Sequence, residues 1–545
     1  MSVRTLFVGR EVLTMDPTLP TATAVLVDGD RIVAVGDVEE LRTDDVTVDL
    51  TFADSVICAG FIDQHLHPVL GATTLMTEVI ATEDWVLPAR TCPAARSADE
   101  YRQRLVEAER RCPAGEWLFS WGYHKLWHGS LDRTVLDSIS ADRPIAVWQR
   151  SCHEWFLNSA AIDILGVTET GPMVDLAAGH WWESGMNLLL PRLSPVFLTA
   201  ERIAAGLHQM VGYLHAGGVT AFNEPGIMWD LEPWVLYQQI LGAADTPMLS
   251  TFLVDARSQA DSGMDPADAV ADAEAQVARA FEGKVRLLPR QVKLFADGAI
   301  ISQLMQMRDP YLDDDGAPDL CHHGEWMMTP DNFRAFARVY WNAGWQLHIH
   351  VNGDAALDLV LDTVEDCMNS RPRTDHRTVI VHFANSTEDQ VDRIAHLGCI
   401  VSANSYYPVG FADKYAEHGL GYERADAMVR AASVLRRGIP LSFHSDLPMG
   451  PADPLTLAWC AVNRCTPSGR IAGADQRVSV HDALRAVTIE AAYSWRLEDH
   501  LGSISPGKLA NFTVLADSPY AVDPSELNRI PVLGTVFEGR WFPVG

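Results

Sequence analysis

The sequence predicts an α/β fold: a distorted (β/α)8 TIM barrel, a composite β-sandwich built from both termini, and a long insertion after the first barrel strand. Three observations predict it. Short apolar runs, each followed by a helical pattern, recur eight times through the middle of the chain, the texture of parallel strands covered by crossover helices. The two ends instead alternate apolar and polar residues over short stretches, as half-buried antiparallel strands do. Residues 64–217, between the first two apolar runs, are far too many for a βα connection.

Residues 1–55, with TLFVG and AVLVDGDRIVAVGD, and residues 507–545, with KLANFTVLAD and GTVFEGRWFPVG, share one texture. Chain ends often lie close together, so the two segments are expected to meet in a single sandwich. Residues 56–506 supply the barrel. Its runs are SVICAGFID (55–63), GVTAFNE (218–224), STFLVD (250–255), RQVKLFAD (290–297), WQLHIHV (345–351), TVIVHFA (378–384), CIVSAN (399–404) and PLSFHSD (440–446). The insertion, 75–215, mixes helical stretches such as 98–110 with tryptophan-rich segments. An insertion after strand one is expected over the carboxyl face of the barrel, where Trp121, Trp127, His153 and Trp182 are candidates for contact with substrate. The alternative is that its aromatic residues form a core of their own.

At 545 residues and 60.0 kDa the chain is too large for one small core. Its 48% hydrophobic and 21% charged residues are those of a soluble globular protein. A net charge of −30 repels phosphate backbones and anionic membranes, so a small molecule is the expected partner, with neither nucleic acid nor membrane. Nine cysteines, an odd number with no CxxC pair, suit a reducing cytoplasm. The sequence contains neither a signal-like apolar core at its N-terminus nor an apolar run long enough to span a membrane. A homodimer is the default expectation for assembly.

The residues able to do chemistry cluster by position. His65 and His67 fall at the end of the first run, Lys293 on the fourth, His350 on the fifth, His382 on the sixth and Asp446 at the end of the eighth. Barrel active sites are built at those strand ends. Alternation would place His65 and His67 on one inward face. A lone HxH is better explained by a hydrogen-bonded turn or core histidine, but four histidines and an aspartate at the ends of distinct strands point to a divalent metal, Zn2+ first, as one or two ions. Lys293 sits inside an apolar strand, where a charged amine is costly unless its pKa falls or it is modified. A neutral amine beside metals can take up CO2 as a carbamate. A snorkelling lysine or an ion pair with Asp297 is the other reading.

Taken in order, AGFIDQHLH, QVKLFADGAI, HIHVNGDAA, VIVHFANS, HSDLPMGPADPL and SISPGKLANFTVL resemble the metal-dependent amidohydrolase superfamily, in particular its YtcJ-like branch. The resemblance implies metal ligands at His65, His67, Lys293 as carbamate, His350 and His382, with Asp446 as catalytic acid/base. It implies hydrolysis, by a metal-activated hydroxide, of a linear C–N bond in an amide, formamide or carbamate whose N-substituent is aromatic or apolar. Deformylation of N-substituted formamides is the named activity nearest to it. The chain departs from the family at Asn511, commonly Asp and expected at the sandwich surface, at His444, usually Gly, and at an additional His348. Alternation sets His348 and His444 one layer below His350 and Asp446, as partners that orient ligands or as packing; both are grouped with the substrate-side residues. The runner-up activity, deamination, would carry Glu three residues after the fifth-strand histidine, where this chain has Gly353. A non-catalytic binding protein is the alternative from another class, and it would not need the proton carrier Asp446. Asp354 is expected to cap a helix, Asn158 likewise, and Arg377 to form an ion pair.

Overall fold

The computed structural model describes residues 4–227, 233–279, 283–313 and 315–545. It divides into two compact units, Met1–His67 with Leu214–Gly545, and Pro68–Tyr213.

In the first unit eight strands pair in parallel in chain order: β1 (Phe61–Asp63), β2 (Val219–Ile227), β3 (Leu249–Asp255), β4 (Val285–Phe295), β5 (Gln346–Val351), β6 (Val379–His382), β7 (Ile400–Ala403) and β8 (Leu441–Phe443). Each apolar run of the sequence therefore carries one barrel strand. The first run needs a correction, because it serves two sheets. Its start belongs to the strand Val46–Ala59, which pairs with Arg4–Leu13 and Phe512–Leu515, and only Phe61–Asp63 enters the barrel. Gly60 marks the crossing: a Cβ there would lie 2.4 Å from Thr220 Oγ1, so no larger residue fits the bend.

Hydrogen bonds to a side chain and to the backbone close the ring. The Ser445 backbone N–H donates to Asp63 Oδ1 at 3.0 Å and the Asp446 N–H to the His65 carbonyl at 2.9 Å, joining the end of β8 to the end of β1. At the opposite end the Gln291 and Gln346 amides donate to the carbonyls of Trp495 (2.7 Å) and Ser494 (2.9 Å), which floor the barrel. Register then stacks the interior. Gln291 lies beside Gln346, Lys293 beside His348, and Phe295 beside His350, and the His350 level continues through Val381 to Ser402.

Both chain ends share a seven-stranded sheet, ordered Arg540–Pro543, Val532–Phe537, Phe512–Leu515, Val46–Ala59, Arg4–Leu13, Thr21–Asp28 and Arg31–Gly36. Phe7, Phe52, Phe512 and Trp541 pack ring to ring across it. Asn511, expected at the surface, is buried, and its Oδ1 accepts the Glu538 N–H at 2.8 Å. A carboxamide oxygen does this as well as a carboxylate.

The second unit holds a six-stranded sheet, ordered Val174–Asp175, His180–Trp182, Glu154–Leu157, Ile145–Gln149, Leu118–Tyr123 and Glu78–Val79. Tyr101, Leu105, Leu118, Leu136 and Ile145 belong to its core. Trp121, Trp155 and Trp181 are fully buried in it, and Trp148 stacks on Trp155 at 5.1 Å. These rings give the unit a core of its own. Among the described residues no helix is long and apolar enough to cross a membrane, and all nine cysteines are free thiols.

Candidate metal centre

His65 and His67 lie in the loop beyond β1, which ends at Asp63, so a turn brings them together instead of strand alternation. Backbone bonds clamp the loop: the Leu66 N–H donates to the Asn223 carbonyl (2.9 Å) and the His67 N–H to that of Leu447 (3.0 Å). The two rings meet edge to face at 86°, with their Nε2 atoms 3.3 Å apart. Asp446 Oδ1 stands 3.3 Å from His65 Nε2 and 3.1 Å from His67 Nε2. Two imidazole nitrogens and a carboxylate oxygen thus converge within 4.8 Å of one another.

Behind His67 stands a group that sequence reasoning missed. Glu224 Oε1, on β2, lies 2.9 Å from His67 Nδ1. A hydrogen on Nδ1 faces this carboxylate and leaves the Nε2 lone pair aimed at the cluster, the usual arrangement for a ligating histidine. The signal was present in GVTAFNE, an acid on an apolar strand, the same anomaly that singled out Lys293. Burial disfavours charge on both partners, pushing Glu224 up, yet Glu224 and Asp446 together hold the His67 ring up to about 10. Burial, joined by neighbouring cations, pushes His65, His382 and His444 well below the usual imidazole value.

His382 reaches the cluster against the alternation of its strand. Val381 occupies the level of His350, so regular pleating would turn His382 away. Its backbone is left-handed (φ 73°), as is that of Phe383 (φ 53°), and the ring arrives 4.4 Å from that of His350 and 4.8 Å from that of His65. Asp446 has a φ of 57° and puts Oδ2 3.6 Å from His382 Nδ1. Such conformations cost of order 1–3 kcal/mol each in a non-glycine residue and concentrate at functional sites. His350 Nε2 lies 3.0 Å from Asn352 Nδ2 and 4.0 Å from Asp297 Oδ1. Asp297 holds the loop by accepting the N–H groups of Gln306, Asn352 and Gly353, and burial raises its carboxyl to about 7. Its hydrogen bonds build this loop, and among the described residues it forms no ion pair with Lys293.

Lys293 is fully buried, with no hydrogen-bond partner for Nζ among the described residues. Nζ lies 5.2 Å from the centre of the Phe295 ring. Burial lowers its amine to about 7 despite the carboxylates of Asp446, Asp255 and Glu224. An orphaned, easily neutralised amine below converging imidazoles and a carboxylate fits a site built for a divalent cation.

The other expected residues take these places. His348 lies beside Lys293, buried one layer below His350, with Nε2 3.0 Å from Gln291 Oε1, and burial lowers its ring to about 3. His444 is buried against His65, ring centroids 4.9 Å apart. Asp354 is the first residue of the helix Asp354–Ser370, whose N-cap is Gly353; its carboxylate accepts the first-turn Ala355 N–H and the Arg308 N–H, each at 2.9 Å. Asn158 does cap a helix, accepting from the Ala161 N–H. Arg377 pairs with Asp375 and Glu498. Within the inserted unit Trp121 lies edge-on to Trp85 (5.3 Å) under the Arg150 guanidinium, and His153 Nδ1 is 3.1 Å from Glu183 Oε2. Trp127 and Trp182 are half-buried, against His124 and His180 respectively.

Comparison with known proteins places this geometry. The pattern of the amidohydrolase family matches residues 48–542, and that of the bacterial imidazolonepropionase-like composite domain matches residues 24–44. The chain is 26% identical to the protein LONG AFTER FAR-RED 3 of Arabidopsis thaliana, over 97% of this chain and 90% of that one. It is also 26% identical to N-substituted formamide deformylase of Arthrobacter pascens, over 98% and 97% of the two chains. Its fold superposes on that of an uncharacterized metal-dependent hydrolase from Pyrococcus horikoshii with a TM-score of 0.72 at 21% identity, covering 96% and 99%.

Proposed function

Because the chain belongs to the amidohydrolase family, we propose that it hydrolyses a linear C–N bond, in a formamide, amide or carbamate whose nitrogen carries an aromatic or apolar group. The observation that carries the reading is the Asp446 carboxylate, its oxygens within 3.1–3.6 Å of three imidazoles at the ends of two barrel strands. His65, His67, His350, His382 and Lys293, as carbamate, would hold one or two divalent ions, with the Asp446 carboxylate beside them. Imidazole and carboxylate donors suit zinc. When bound, such an ion lowers the pKa of water to about 7 and polarises a carbonyl.

The remaining chemistry belongs to the chain. Asp446 accepts a proton from the attacking water and returns it to the departing nitrogen, so a formamide or amide gives a carboxylic acid and an amine, and a carbamate gives an amine and a carbonic half-ester that loses CO2 to leave an alcohol. Glu224 orients His67 by holding its Nδ1 hydrogen. The Lys293 amine would add to CO2 and lose a proton to water, giving a carbamate whose oxygens would serve as donors to a divalent ion. Kinship with N-substituted formamide deformylase favours a formyl group as the acyl part. Deamination is disfavoured sterically as well as by composition: a Cβ at Gly353 would lie 2.1 Å from the Gln306 carbonyl oxygen, so no glutamate can occupy the position. Nine free thiols suit a reducing compartment, and we place the protein in the cytoplasm.

The test is a panel of N-benzylformamide, N-benzylacetamide, an N-aryl carbamate and an aminopyrimidine, with amine and ammonia quantified. Release of benzylamine from the formamide supports the proposal. Ammonia from the aminopyrimidine, with no amine from the other three, overturns it.

A further inference from the structure

We infer that His444 is an additional metal ligand, completing with His65 and His382 a three-imidazole donor set that accepts a late transition-metal cation. The inference rests on the metal centre proposed above and adds a donor to it.

His444 follows β8 and is fully buried. A buried imidazole is costly unless both nitrogens find partners. Its Nδ1 lies 2.9 Å from Ser402 Oγ, on β7, and Ser402 Oγ in turn donates to Gln64 Oε1 at 2.6 Å. A serine hydroxyl has one hydrogen. With that hydrogen given to Gln64, Ser402 accepts from His444, so the His444 hydrogen sits on Nδ1 and Nε2 presents a lone pair. This lone pair faces the other two histidines. Nε2 is 3.2 Å from His382 Nδ1, the ring is stacked on His65 at 23°, and ligand nitrogens of all three lie within 4.8 Å of one another.

Packing alone does not account for this arrangement. A phenylalanine or leucine would fill the layer without help, whereas here Gln64 and Ser402, both buried, are arranged to fix one tautomer. Partners that fix the tautomer and ring orientation are what ligating histidines require. Three imidazoles favour Zn2+, Co2+, Ni2+ or Cu2+ over Mg2+, Ca2+ or Mn2+, which prefer oxygen donors.

The test titrates chelator-stripped full-length protein with Co2+ and follows its visible absorption. His444→Phe keeps a flat ring against His65 and removes the donor; Ser402→Ala keeps the donor and removes only the fixed tautomer. The expected result is at least tenfold weaker Co2+ binding in His444→Phe, with the visible bands shifted in position and intensity. Ser402→Ala should bind less tightly than wild type while keeping the wild-type bands. A folded His444→Phe protein with wild-type affinity and an unchanged spectrum overturns the inference, as does a wild-type protein that binds no Co2+. Should His444→Phe not fold, His444→Leu is read against the same criteria. The comparison decides the role of His444 whether or not the protein hydrolyses any C–N bond, so its failure is distinguishable from failure of the hydrolase reading.

Discussion

Glu224→Gln should weaken zinc binding about tenfold without unfolding the barrel. Glu224 is buried and its Oε1 lies 2.9 Å from His67 Nδ1, a charge-assisted bond worth about 1.5–3 kcal/mol. Glutamine keeps an acceptor oxygen in place and removes the charge, so about 1.4 kcal/mol should be lost, which is tenfold in affinity. Glu224→Leu also removes the acceptor, strands the Nδ1 hydrogen in a buried site and should cost about a hundredfold. The carboxylate favours a proton on His67 too, holding that ring up to about 10. A dication gains about twice as much as a proton from the same negative charge, so the net effect of removing it is weaker metal binding. Competition with a chromophoric chelator on metal-stripped protein measures the constants, and circular dichroism checks the fold. Equal zinc affinity in the wild type and in both folded variants would refute the reasoning that Glu224 orients a ligand.

Asp63→Ala removes the acceptor for the Ser445 N–H and hydroxyl that joins β8 to β1. It should cost about 3–5 kcal/mol, read as a fall in denaturant midpoint, and an unchanged midpoint would contradict the closure role. Lys293→Ala should lose at least half of the bound metal, and 13C-bicarbonate should give a carbamate resonance in the wild type that is absent from the variant. Full metal content in the variant, or no such resonance in the wild type, counts against the carbamate. Acid should destabilise the inserted unit through His128, which burial lowers to about 4 from 6.5. The unfolded chain takes up a proton below pH 6.5 that the folded ring refuses until about 4, so stability is complete above 6.5 and falls as pH drops, by about 3 kcal/mol at pH 4. Tryptophan emission followed in denaturant at both pH values measures this, and equal midpoints would exclude it.

Much of the molecule was legible in its sequence because strands buried on both faces leave uninterrupted apolar runs: all eight barrel strands lie under such runs. The ligand candidates were legible for a related reason, since His350 and Lys293 are polar interruptions of those runs. Three kinds of feature were hidden. The first apolar run crosses from the terminal sheet into the barrel at Gly60, and continuous apolarity cannot reveal a change of sheet. His382 joins the cluster through a left-handed backbone that period-two alternation does not anticipate. Glu224 and Asp63 stand out as acids on apolar runs but act through partners remote in sequence, His67 and Ser445, so what each does appears only when the strand ends meet. Asn511 was misplaced for a simpler reason: a polar residue near a chain end reads as exposed until its partner Glu538 is seen.

The central claim is that Asp446 carries the proton in metal-dependent C–N bond hydrolysis. Zinc stoichiometry and kcat for amine release, measured on one preparation of Asp446→Asn, test it most directly. The asparagine fills the same space between His65 and His67 but cannot accept the proton, so the account predicts retained zinc with kcat lowered by about 10² to 10⁴. Near-normal turnover in the fully metallated variant would contradict it.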